Sequence, residues 1–262
     1  AARIAESRAE IDPETAQARL KVRIDSGPAF FLGELEVEGI EHLPADLVHR
    51  YSQLRPGAPY DREALLAFQT DLQNTPHFGS VIVDIERDPA LAAAVPVRVQ
   101  VTEALPRYAG VGAGYSTNTG ARVELTYRDS NLRKRGWEFS TGLRVEQRRQ
   151  ALFADVFLPP RGKHRDSFGA LVESSDLEGL KVDSQALGAT RTTVRGDIET
   201  QLALRLQHEK IEPAGGESRT SNTLTANWTW IKRAVNDLLD PTDGYLLEFQ
   251  IGGGPEIALA EQ

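Results

Sequence analysis

From residue 108 the sequence reads Tyr108-Ala-Gly-Val-Gly-Ala-Gly-Tyr115-Ser116, and two kinds of residue alternate along it. One set is apolar or aromatic and comprises Ala109, Val111, Ala113 and Tyr115, and the other comprises Gly110, Gly112, Gly114 and Ser116. A period of two residues is typical of a β-strand, whose successive side chains point to opposite faces. Glycine lowers the packing and entropy advantage of a permanent pairing, so we expect a strand that separates easily from one neighbour.

The same alternation continues through roughly nine segments up to residue 251. Each segment is close in length to the roughly 9–11 residues that a tilted strand needs to cross a bilayer. The polar positions carry Arg and Glu, as expected of a wet lumen, and the apolar positions include large aromatic and aliphatic side chains. The side chains expected to face lipid are Trp137, Phe139, Leu204, Trp228, Trp230, Leu247 and Phe249. The pattern predicts an all-β antiparallel transmembrane barrel over residues 107–262.

A soluble alternative stays open on pattern alone. A β-sandwich or a water-soluble barrel also alternates between inward and outward side chains. Such a protein, for example a β-rich binding protein, would stay monodisperse without detergent.

Residues 29–104 have a different pattern, with the order strand, helix, helix, strand, strand. A helix is expected over residues 44–54, with a proline in its first turn. A second helix follows Asp61, a good N-cap, and its apolar spacing extends to Phe78. Two strands, residues 81–85 and 97–101, complete this α+β unit.

Residues 1–28 resemble the last part of the same kind of unit. Two strand patterns, residues 4–11 and 18–24, are joined by the turn signal Asp12-Pro13-Glu14. The chain also begins Ala1-Ala2-Arg3 and contains no methionine, so we interpret it as a piece or a processed product.

The composition and the motifs argue against nucleic-acid binding, disulfides, metal sites and catalysis. The net charge of -8 disfavours nucleic-acid binding, and the absence of cysteine excludes disulfides and thiolate metal sites. The histidines, His42, His49, His77, His164 and His208, lack metal-ligand spacing. We find no catalytic constellation, so we expect no enzyme activity, no cofactor, no metal and no small-molecule substrate.

Several motifs resemble the BamA/TamA superfamily of outer-membrane assembly factors, and the TamA branch in particular. The entry to the predicted barrel, residues 108–123 with Tyr127-Arg128 and Gly136 after it, is similar to the start of a TamA barrel. Residues 33–39 and 56–61 resemble the first strand and the second-helix start of a POTRA domain, and residues 240–245 resemble a turn of these barrels. The superfamily's Arg-Gly-aromatic lid motif is absent, because Asp197 follows Arg195-Gly196.

The resemblance implies an architecture, a location and partners. It implies the end of a preceding POTRA domain at 1–28, a POTRA domain at 29–104, and about half of a barrel of about 16 strands at 107–262. The barrel would lie in the bacterial outer membrane, in contact with its lipid, and the POTRA part in the periplasm. The protein would help insert or translocate β-barrel clients such as autotransporters, with a TamB-like periplasmic partner.

Two sets of strand edges are the candidate sites. The first is the opening barrel strand, where a client strand would add by β-augmentation: Tyr108, Gly110, Gly112, Gly114, Tyr115 and Ser116. The second is the POTRA sheet, with Leu35, Val37, Val81, Val83 and Ile85. The glycines could instead relieve crowding, and the POTRA strands could be covered by their neighbours.

Three other functions also stay open. These are a BamA-like general assembly factor, a two-partner secretion transporter, and a porin-like channel, which would have no reason to carry a POTRA unit.

Overall fold

A computed structural model describes residues 3–12, 17–25, 27–235 and 242–256. The first part of the chain contains β1 (Arg3–Asp12), β2 (Gln17–Asp25), β3 (Leu32–Glu38), α1 (Leu47–Tyr51), α2 (Arg62–Gln73), β4 (Phe78–Ile85), a short 3-10 helix (Pro89–Leu91) and β5 (Val95–Glu103). The rest contains β6 (Arg107–Ser116), β7 (Gly120–Leu132), β8 (Trp137–Glu146), β9 (Arg149–Phe157), β10 (His164–Leu177), β11 (Leu180–Arg195), β12 (Ile198–Pro213), β13 (Arg219–Val235) and β14 (Gly244–Gly253). None of the helices among these residues is long and apolar enough to cross a membrane.

The chain divides into two compact units. The first comprises residues 1–39, 52–72 and 81–101, and the second comprises residues 40–51, 73–80 and 102–262.

The hairpin of β1 and β2 belongs to the first unit and confirms the two strands expected there. Its antiparallel register pairs Ile4 with Ile24 and Ala9 with Leu20. Ile4, Leu20 and Ile24 are each about two-thirds exposed. The predicted turn at Pro13-Glu14 lies outside the described residues.

A three-stranded sheet with the order β3-β5-β4 forms the core of the first unit. Alternate residues of β5, from Val95 to Val101, are buried, and β3 runs parallel to β5. Helix α2 buries Leu65, Phe68 and Leu72, one stripe at helical spacing, and each such side chain contributes about 1.5–3 kcal/mol by leaving water. The observed element order is therefore the predicted strand, helix, helix, strand, strand.

The predicted helix bounds were partly wrong. Helix α1 covers only Leu47–Tyr51 instead of residues 44–54. The Ser52 hydroxyl accepts a hydrogen bond from the backbone N–H of Leu54 at 3.2 Å, a local alternative to continuing the helix. Asp61 does cap α2, since its carboxylate accepts from the N–H of Glu63 at 2.9 Å. Phe78, expected to extend the pattern of that helix, is the first residue of β4.

The second unit is dominated by a nine-stranded sheet in which every strand pairs antiparallel with the next. Its order is β14-β13-β12-β11-β10-β9-β8-β7-β6. Connections between neighbours are short, such as residues 117–119 between β6 and β7. Such a continuous up-and-down sheet is what the nine alternating segments predicted. Strands β6 and β14 are the two edges of the described sheet.

Candidate functional site: a free strand edge

The nine-stranded sheet has one mainly apolar face and one mainly polar face, although the ion pair of Asp166 and Arg191 lies on the former. Directly paired residues of antiparallel strands share a face. One paired row of five strands is entirely apolar: Val111, Leu125, Leu143, Leu152 and Val172. The next row, one residue along, lies on the other face: Gly112, Glu124, Arg144, Ala151 and Glu173. The predicted alternation is therefore carried across neighbouring strands in register.

All seven side chains expected to contact lipid lie on the apolar face. Phe139 and Leu204 belong to one row of paired residues, which also contains Val156, Phe168 and Ala189. Leu204, Leu247 and Phe249 are 47%, 53% and 55% exposed. A water-soluble sandwich would bury this face against a second sheet, whereas exposed apolar surface of this extent marks a contact with lipid or protein.

Charged side chains on the polar face form ion pairs between neighbouring strands. Arg144 donates to Glu124 at 3.1 Å, and Arg149 donates to Glu173 at 2.9 Å. Both pairs link side chains that face an interior lumen if the sheet curves into a barrel. Phe153 is an exception on this face, and its ring lies over Gly142 of the neighbouring strand.

The predicted template strand β6 lies at an edge of the sheet and pairs only with β7 among the described strands. In an antiparallel pair, alternate residues direct their backbone groups toward the partner. The N–H of Ser130 donates to the carbonyl of Pro106 at 2.8 Å, and the Thr126 hydroxyl reaches the carbonyl of Gly110. Even-numbered residues of β6 therefore bond to β7.

The odd-numbered residues direct their N–H and C=O groups to the free edge. These residues are Arg107, Ala109, Val111, Ala113 and Tyr115, and the side chains of the last four give this part of the strand its apolar face. The sequence analysis singled out Gly110, Gly112 and Gly114, but the backbone N–H and C=O groups of these residues point toward β7. The backbone groups that point away from β7 therefore belong to the residues between the glycines.

The glycines of β6 have a packing reason as well. A Cβ atom at Gly110 would lie 2.7 Å from the Thr126 hydroxyl oxygen, and one at Gly114 would lie 2.8 Å from Nε of Arg122. At Gly112 the nearest atom would be 3.8 Å away. Two of the three glycines therefore make room for side chains of β7, as the crowding alternative expected.

The two outer strands of the three-stranded sheet carry the other predicted edge residues, and they differ in access. On β4, the N–H of Val83 donates to the side chain of Gln69 at 3.0 Å, so helix α2 already occupies part of that edge. Residues 57–60 form backbone hydrogen bonds with β3 only near the start of that strand, where the N–H of Leu32 donates to the carbonyl of Ala58 at 2.8 Å. Leu35 and Val37 lie beyond that contact, so β3 is the more accessible edge.

Side-chain contacts hold the connection between β7 and β8, where the sequence analysis named Gly136 but not Asn131. The Asn131 side chain donates to the carbonyl of His42 at 3.0 Å and accepts from the N–H of Gly136 at 3.0 Å. Gly136 has a φ of 63°, and a Cβ there would lie 2.9 Å from Leu47. Both contacts attach the segment before α1 to the end of the sheet.

Two titratable groups stabilise the same region. Burial alone would raise the pKa of Glu103, but hydrogen bonds from the N–H groups of Leu43, His42 and Glu41 lower it below its ordinary value. Burial lowers the pKa of His77 to about 4, opposed by a backbone hydrogen bond to Ser130 and helped by the charge of Arg165. His77 is therefore neutral at physiological pH. No cluster that could hold a metal ion occurs within the described residues.

Known structures share this fold. BamA from Haemophilus ducreyi, in a form lacking POTRA domains 1–3, superposes with a TM-score of 0.68 at 13% identity, over 97% of this chain and 54% of that one. CdiB from Acinetobacter baumannii superposes with a TM-score of 0.57 at 11% identity, over 95% and 50%. The chain thus spans about half the length of either protein, and its nine-stranded sheet matches part of a BamA-like barrel. No protein-family model matches the chain.

Proposed function

We propose that this chain is part of a bacterial outer-membrane assembly factor of the BamA/TamA type, which templates an incoming β-strand at β6 without enzymatic turnover. The observation that carries the proposal is that the glycine-rich β6 pairs on one side only among the described strands, in a sheet whose apolar face is exposed. In lipid, a client strand must satisfy every backbone group, so it gains most from a template already in the membrane. The odd-numbered residues of β6, from Arg107 to Tyr115, each offer an N–H and a C=O group to that client strand.

The proposed architecture places the rest of the chain around this edge. Residues 107–262 are the first part of the barrel, residues 29–104 a periplasmic POTRA domain, and residues 1–28 the end of a preceding one. The shared fold with BamA supports the barrel assignment, and the strand, helix, helix, strand, strand order supports the POTRA assignment. Accessible positions Leu35 and Val37 on β3 make this strand the docking edge for an extended segment of a TamB-like partner.

A cysteine scan tests the templating step, because the chain has no cysteine of its own. Ala113→Cys places a thiol on the exposed edge strand. Val145→Cys is the matched control, since Ala113, Val123 and Val145 form one paired row but Val145 lies on an interior strand. A disulfide needs Cα atoms within about 4.4–6.8 Å, so only an adjacent strand qualifies.

The client is an autotransporter β-domain with one cysteine in its terminal strand, trapped during insertion. We expect a cross-link at residue 113 and none at residue 145. Equal cross-linking at both residues, or none at either, would contradict templating at β6.

Secretion through the lumen, as for a two-partner transporter, is the second candidate. The charged polar face, with its Arg144–Glu124 and Arg149–Glu173 pairs, is compatible with a wet passage for a polypeptide. This function predicts that a transported chain cross-links to polar-face positions such as Ser140. A client templated at β6 would instead contact residue 113 first.

A further inference from the structure

The turns of the nine-stranded sheet differ in charge between its two ends. Strand direction alternates, so turns 133–136, 158–163 and 196–197 lie at the end where β6 begins. They carry the cations Arg133, Lys134, Arg135, Arg161 and Lys163 against the acid Asp197, and Asp243, in the described part of the connection before β14, is a second acid at this end. The opposite turns, 117–119, 147–148, 178–179 and 214–218, carry one cation, Arg148, against Glu178 and Glu217. We call the five cations together with Arg195, the last residue of β11, the basic rim.

Members of the basic rim are exposed, and Arg161 is close enough to Asp166 for their charges to interact. All six are exposed, and none forms an ion pair within the part of the chain that the structure describes. At the other end Lys181 lies 3.4 Å from Asp183 and Lys210 lies 2.6 Å from Glu212, whereas Arg148 forms no ion pair among the described residues. Clustered like charges repel one another, so an unneutralised rim favours an anionic ligand from outside.

The basic rim adjoins the margin of the apolar face. The guanidinium of Arg135 lies 5.3 Å from the ring centre of Trp137, which is on that face. On the same face, Nζ of Lys232 lies 5.4 Å from the ring of Tyr245, and Arg195 shares a paired row with Ile198 and Lys232. Aromatic rings beside cations are typical of the level where hydrocarbon meets headgroups.

We propose that the basic rim binds the phosphates of anionic phospholipid headgroups. The inference rests on the proposed membrane placement of the sheet and adds to it a preferred lipid class at one end. Arg is suited to phosphate because its planar fork donates two parallel hydrogen bonds. Each cation near an anionic surface gains about 1 kcal/mol, which converts to about fivefold in affinity. Removing three cations should therefore weaken binding up to about hundredfold at low salt.

Tryptophan quenching by brominated lipid measures this preference directly. In a Trp228→Phe, Trp230→Phe background, Trp137 is the remaining tryptophan of the three. The chain is reconstituted in vesicles containing brominated phosphatidylglycerol or brominated phosphatidylcholine, and the ratio of quenching by the two lipids is recorded. We expect stronger quenching by phosphatidylglycerol, because the headgroup gathers beside Arg135.

Three variants separate charge at the rim from other effects. Arg133→Gln, Lys134→Gln, Arg135→Gln should bring the ratio close to one. Arg148→Gln, Lys181→Gln, Lys210→Gln removes three cations at the opposite end and should leave it unchanged. Arg133→Lys, Arg135→Lys keeps the charge and should keep most of the preference.

Each contrary outcome has a distinct meaning. Quenching by neither lipid would contradict the membrane placement, and with it the proposed function. Equal quenching by both lipids in the parent would overturn the headgroup preference alone. An equal loss in the opposite-end variant would overturn its location at the rim. If inorganic phosphate at constant ionic strength abolished the preference, the rim would be a site for free anions and the lipid assignment would be wrong.

Discussion

Substitution of Leu204 by Arg, compared with Ala203 by Arg, tests which face of the sheet contacts lipid. The two residues are neighbours on β12 and lie on opposite faces. Leu204 is the middle of three leucines on the apolar face, between Leu202 and Leu206, so it should lie near the middle of the bilayer. Ala203 lies on the polar face, beside Gln201 and Arg205.

The expected magnitude follows from that placement. A lipid-facing Arg at the midplane of a membrane barrel costs about 2–4 kcal/mol, whereas a lumen-facing one costs little. The Leu204→Arg variant should therefore shift the folding equilibrium by about 30- to 900-fold, and Ala203→Arg by less than about threefold. Were the 47% exposed Leu204 in contact with water, its replacement would be worth only about 0.5 kcal/mol.

Equilibrium urea unfolding in phosphatidylcholine vesicles, followed by tryptophan fluorescence, measures both variants. A Leu204→Arg variant within about 0.5 kcal/mol of the parent would refute the lipid-facing assignment. An Ala203→Arg variant as destabilised as Leu204→Arg would refute the division into two faces.

Two further predictions concern other parts of the second unit. Because burial lowers the pKa of His77 to about 4, its neutral form stabilises the fold fully above about pH 6.5, and about 3 kcal/mol is lost as the pH falls toward 4. The free energy of unfolding of His77→Gln should fall less steeply across that range, and parallel pH profiles would contradict this. Gly142→Ala should cost about 1–3 kcal/mol, because its Cβ would lie 2.5 Å from the Phe153 ring. Gly112→Ala, with 3.8 Å of space, is its control in urea unfolding, and equal effects would rule out the collision.

Strand period was the part of the fold that the sequence predicted well. Alternation depends only on the local backbone, so nine strands and the shared face of Phe139 and Leu204 could be inferred without coordinates. Element order in residues 29–104 followed for the same reason. The bounds of α1 did not, and just beyond its end the Ser52 hydroxyl accepts from the N–H of Leu54, a contact that apolar spacing does not encode.

The candidate site was predicted at the level of the strand but not of the atom. Whether Gly112 or Val111 directs its N–H outward depends on how β7 pairs with β6, which no local pattern encodes. The contact between Gln69 and Val83 joins residues on different elements, so the partial covering of β4 was also invisible. Asn131, near the end of β7, was missed because a single polar residue gives no periodic signal.

Residue-resolved amide hydrogen exchange along β6 tests the central claim most directly. Without a client, the N–H groups of Val111 and Ala113 should exchange rapidly, while those of Gly110 and Gly112 are protected by β7. Adding a peptide from the terminal strand of a client barrel should slow exchange at odd-numbered residues such as Val111 and Ala113 and leave Gly110 and Gly112 unchanged. Protection of both sets before the peptide is added, or unchanged exchange after it, would show that β6 is not an open template.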